Sequence, residues 1–117
     1  MKAPSFPRYD TLMARALMRL LRGRQFTHRE FQEETASYRL SGFIESLRNR
    51  HHWPIETREE IAPTNDPVGR MATYGRYLIE PEILKWLREQ LGERIDRFIE
   101  VVQRYEQGGG NRPTDTK

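Results

Sequence analysis

The sequence predicts a mainly α-helical fold that carries one small β-hairpin and ends in a long helix. Three observations lead there. Met13, Ala16, Leu17, Leu20 and Leu21 recur at the 3–4 spacing of a buried helix face. A segment dense in turn formers, from Ala62 to Gly69, separates two short β-rich runs. Pro81 then opens a stripe of apolar residues that reaches Tyr105.

Size and composition bound the answer. With 117 residues, 36% of them apolar, one domain and one appended element are expected. The absence of Cys excludes a disulfide-stapled scaffold and any thiolate metal or nucleophile site. No apolar run approaches the roughly 18 residues needed to span a bilayer, so no membrane partner is expected. The first ten residues hold no apolar signal-like core, which points to a cytoplasmic location.

Residues 1–9, with Pro4 and Pro7, read as a flexible arm. Asp10 can N-cap a first helix to about Arg22, with Arg15, Arg19 and Arg22 on its solvent side and Gly23 ending it. Thr27-His28-Arg29-Glu30 is a capping box, and Phe26 can staple onto Phe31. A short second helix follows to Thr35. Ser37 can cap a third helix over 38–50, where Leu40, Ile44 and Leu47 form the core stripe. Residues 53–58 read as a strand and 73–79 as its return, a hairpin over about 55–79. Glu80-Pro81-Glu82 opens a last helix to Gln107, with Gly92 inside it as a point that can bend or split it. The tail 108–117 reads as disordered.

Helix, helix, tight turn, helix, hairpin is the order of a winged helix-turn-helix, here residues 10–80 followed by a long C-terminal helix over 81–107. In that arrangement helix 38–50 enters the DNA major groove and the hairpin acts as a wing. The exposed side suits the task. Arg39 can donate two bonds to a guanine, Ser41 and Ser46 can bond phosphates or base edges, and Gly42 lets the backbone approach. Arg29, Tyr38, Arg48 and Asn49 join them, and Arg70 and Arg76 flank the wing.

The charge pattern agrees. The net charge is +3, but residues 1–58 hold 11 basic and 6 acidic residues, while 80–107 hold 5 and 7. Seventeen of the 20 basic residues are Arg, whose planar fork suits phosphate and guanine. A basic reading half and an acidic assembly helix are therefore expected.

Phe26-Thr27-His28-Arg29-Glu30-Phe31, Tyr38-Arg39-Leu40, Ile44-Glu45-Ser46-Leu47-Arg48, Trp53-Pro54-Ile55-Glu56-Thr57 and Arg76-Tyr77-Leu78 resemble the small phage and prophage helix-turn-helix domain proteins. The resemblance covers about residues 12–80 and implies DNA binding with Arg39 and its helix neighbours as readers. The family usually places a Gly just before the aromatic-Pro-Ile run; here His51-His52 stand there.

Other chemistries find little support. His51 and His52 diverge by about 100° on a helix, and only His28 remains, so no metal or other cofactor is expected. No nucleophile triad setting, phosphate loop or His-Glu-x-x-His run is present, which argues against an enzyme. In the last helix Leu84, Leu91, Ile95, Phe98, Val102 and Tyr105 lie at heptad-like spacing, broken by Arg88. This stripe can pack back on the wing and helix 1 or pair with its twin; a helix of some 27 residues spans about 40 Å, longer than a three-helix core covers, so a homodimer is the favoured expectation. The rival reading is a protein-interaction module on the same scaffold that binds and inhibits a host protein.

Overall fold

Leu12–Leu21 form α1, a helix in which every residue from Ala14 to Leu21 is buried. The computed structural model describes residues 3–63, 67–69 and 71–108. Within them α1 is followed by β1 (Phe26–Thr27), α2 (His28–Thr35), α3 (Leu40–Asn49), β2 (Glu56–Pro63), β3 (Met71–Leu78), α4 (Pro81–Leu91) and α5 (Glu93–Gln107). The fold is mainly α, with one small antiparallel sheet in the order β1-β3-β2. No described helix is long and apolar enough to cross a membrane.

Local signals act as read. Thr27 Oγ1 accepts from the Glu30 amide at 3.2 Å while the Glu30 carboxylate accepts from the Thr27 amide at 3.0 Å. Phe26 stacks on Phe31 with centroids 5.7 Å apart. Leu40, Ile44 and Leu47 are buried and set α3 against α1 and α2. Some boundaries shift. Thr11, not Asp10, N-caps α1, its hydroxyl accepting from the Ala14 amide. α3 starts at Leu40; Ser37 Oγ accepts from the Arg39 amide and stabilises the turn before the helix. The hairpin is longer than expected because Ile61, Ala62 and Pro63 pair with Thr73, Ala72 and Met71.

β1 is the element sequence patterning missed. Phe26 pairs with Tyr77 and Thr27 with Arg76, which fastens the hairpin beside the start of α2. The arm is also not loose over 3–9. The Ser5 amide donates to the His51 carbonyl at 2.9 Å, and the Trp53 indole donates to the Ser5 carbonyl at 2.6 Å. Phe6 lies 5.2 Å from Trp53 and 4.9 Å from Phe98. The arm thus seals the core between the α3–β2 turn and α5. In that turn His52 takes φ 61°, the left-handed backbone that suits glycine.

Two expectations are corrected. Arg15 and Arg19 do not face solvent: they are 9% and 7% exposed. Arg19 donates to Glu34 at 2.8 Å and to Glu106 at 2.9 Å, and Arg15 lies 3.8 Å from Glu106. Arg24 adds a second pair of bonds to Glu34. Arg24 above all, and then Arg19, holds the Glu34 carboxyl at about 2, well below its ordinary 4.5.

The last helix is not continuous either. Gly92, at φ 56° and ψ −129°, ends α4 and starts α5. α5 then packs against α1. Of the stripe assigned to a twin, Ile95, Phe98 and Val102 are buried in this chain's own core, and Leu84 and Leu91 pack against that core. Tyr105 meets Tyr9 edge-on at 5.7 Å. Heptad spacing does not by itself distinguish a partner helix from a helix of the same chain. Arg88, which breaks the stripe, donates to the Leu21 carbonyl at 3.1 Å and pairs with Asp96. It thereby satisfies an orphan carbonyl at the end of α1. Gly108 C-caps α5; the rest of the tail expected to be disordered lies outside the described residues.

Two outcomes are predicted. In a continuous helix Gly92→Ala stabilises by about 1 kcal/mol. At the observed break it destabilises by about 1–2 kcal/mol, since no L side chain suits this backbone and no neighbour contact offsets the cost. Denaturant unfolding gives the sign. For Glu34, a depressed folded-state pKa means stability that is present above pH 4.5 and is lost as pH falls toward about 2. Thermal melts from neutral to strongly acid pH should show Glu34→Gln less stable than the parent at neutral pH, with the gap closing in that window. A gap that does not change with pH contradicts this.

Candidate nucleic-acid interface

The turn into α3 sets the geometry of the candidate surface. Ala36, with φ 62°, ends α2, and the Thr35 hydroxyl donates to the Phe31 carbonyl at 2.8 Å. Ser37 is buried beneath this turn. With Leu40, Ile44 and Leu47 turned inward, the opposite face of α3 is left to solvent. Phe43 is half-buried, edge-on to Phe31, and supports the first turn from one side.

Tyr38, Arg39, Ser41, Gly42, Glu45 and Asn49 are exposed on or just before this helix, Tyr38 at 71%. None of their side chains bonds to a described residue. Ser46 is half-buried and Arg29, on α2, is exposed. A cleft of about 580 Å³ runs between α3 and the hairpin, lined by Ser41, Gly42, Glu45, Arg48 and Asn49 on one side and Thr57 and Tyr77 on the other. Ser41 to Asn49 is about 12 Å along a helix, which matches three to four base-pair steps.

Two predicted contacts have other work. Arg48 Nε donates to the Ile55 carbonyl at 2.9 Å and its Nη2 to Thr57, so it ties α3 to the start of the hairpin. Arg76 bonds Glu60 at 2.8 Å and Glu30 at 3.1 Å, joining the sheet to α2. Its guanidinium is held above its ordinary range, first by Glu60 and then by Glu30, and Glu60 is pulled down in turn. Sequence patterning missed both roles because these partners stand 7 to 46 positions away, outside the arginine's own helix or strand. Arg70 lies outside the described residues.

The same holds for the charge division. Arg8 pairs with Asp10, Arg15 and Arg19 with Glu106 and Glu34, Arg24 with Glu34, and Arg58 with Glu56 and Glu80. The acidic C-terminal helix therefore neutralises part of the basic half within one chain. Arg22, Arg29, Arg39 and Arg50 are exposed, and their side chains are without a partner among the described residues. Comparison with known protein families, curated proteins and solved structures finds no match to this chain.

Proposed function

We propose that this chain is a sequence-specific double-stranded DNA-binding protein built as a winged helix-turn-helix. It places α3 in the major groove and the β2–β3 hairpin beside it as the wing. One observation carries the reading: the start of α3 presents Tyr38, Arg39 and Ser41 exposed and without a side-chain partner among the described residues, next to Gly42, above a cleft whose far wall is the hairpin. The element order α1-β1-α2-α3-β2-β3 supports it, because β1 holds the hairpin against the helical unit. The resemblance to small phage and prophage helix-turn-helix proteins points the same way and suggests transcriptional or replication control in the cytoplasm.

Arg39 is the main base reader in this proposal, and Ser41 and Asn49 lie farther along the groove. Arg29 and Arg50 supply phosphate contacts, so affinity falls as salt rises. Arg48 and Arg76 act by positioning the hairpin. A second reading has its own observation: Ile61 and Met71 are 70% and 59% exposed on the hairpin, an apolar surface suited to a host protein partner.

The test is a duplex titration on a site selected from a random pool, at about 50 mM and about 200 mM salt. Arg39→Ala should cost about 1–3 kcal/mol at the selected site and relax one position of the consensus, with folding unchanged. Equal binding by parent and variant removes Arg39 as a reader. No duplex binding by the parent at low salt supports the protein-partner reading.

A further inference from the structure

Glu45 is out of place on a surface meant for DNA. It is exposed, lines the α3–hairpin cleft, and pairs with no described residue. The nearest cation along the helix cannot neutralise it: Arg48 spends its guanidinium on Ile55 and Thr57. Gly42 and Asn49 stand three and four residues away on the same face of α3. The space beside Gly42 is open, for a Cβ there would meet nothing within 4 Å. Glu45 therefore sits mid-face with room before it and no partner among the described residues.

We propose, on the basis of the DNA-binding reading above, that Glu45 determines specificity by accepting a hydrogen bond from the exocyclic amino group of a cytosine. A bare carboxylate is repelled by phosphates and by every acceptor in the major groove. Guanine shows it O6 and N7, and thymine shows O4. Adenine offers an amino donor, but its N7 acceptor lies alongside and opposes the second carboxylate oxygen. Cytosine alone presents a donor with no acceptor on its own major-groove edge, the O6 of its paired guanine lying on the far side of the amino group. Glu45 thus works largely by rejection: the wrong base leaves a desolvated, unpaired charge in the groove.

Selection from a random duplex pool, run in parallel on the parent, Glu45→Ala and Glu45→Gln, tests this. The parent should enrich cytosine at one position by roughly tenfold over the other bases. Glu45→Ala should lose that single preference, keep the rest of the consensus and bind random duplex more tightly. Glu45→Gln gains a donor and should move the preference toward adenine. Circular dichroism melts should overlay, because the replaced side chain is exposed and unpaired. An unchanged consensus in both variants overturns the assignment of Glu45 while leaving DNA binding in place. A parent that enriches nothing overturns the DNA-binding reading itself, and the Glu45 assignment with it.

Discussion

Arg19 lies in the last turn of α1, a helix buried on every side from Ala14 to Leu21, and a buried guanidinium must be matched by carboxylates. It receives Glu34 from α2 and Glu106 from the end of α5. That requirement brings three elements distant in sequence to one point. Placing α2 places the turn at Ala36 and Ser37, and that turn decides which face of α3 looks outward. The open face of α3 is thus a consequence of packing around α1. Removing either carboxylate would leave the buried Arg19 charge matched by one partner instead of two, which costs more than losing a surface ion pair.

The hairpin is held by a different set of bonds. β1 is two residues long, yet it pairs with β3 where Arg76 meets Glu30 of the capping box. Arg48 fastens the other side through Ile55 and Thr57. Arg48 and Arg76, both engaged, therefore hold the hairpin beside α3, while the side chains of Ser41, Glu45 and Asn49 on the cleft wall bond to no described residue. This separates arginines that position the surface from those free to touch a ligand.

What could be read from the sequence was local. The capping box, the Phe26–Phe31 staple, the α3 stripe and the hairpin each depend on residues within a few positions of one another, and each forms. What could not be read depends on long-range pairing. Arg15 and Arg19 look like solvated charges until Glu34 and Glu106 are placed. The stripe from Leu84 to Tyr105 has the same periodicity whether it meets a twin or α1. Gly92 was visible as a weak point in the helix, but its φ of 56° was not. The candidate surface was partly legible: Tyr38, Arg39, Ser41, Gly42 and Asn49 are exposed as expected, whereas the engagement of Arg48 and Arg76 follows only from the folded chain. The left-handed backbone of His52, at φ 61°, was likewise not legible, because no local residue pattern announces it.

The central claim is that the open face of α3 and the adjoining hairpin meet duplex DNA. Amide chemical-shift mapping of the isotope-labelled chain during titration with its selected duplex tests it most directly. Shifts should concentrate at Arg29 and from Tyr38 through Asn49 and extend to Thr57 and Tyr77, with α5 silent. Shifts confined to α4 and α5, or none at any duplex concentration, would contradict it.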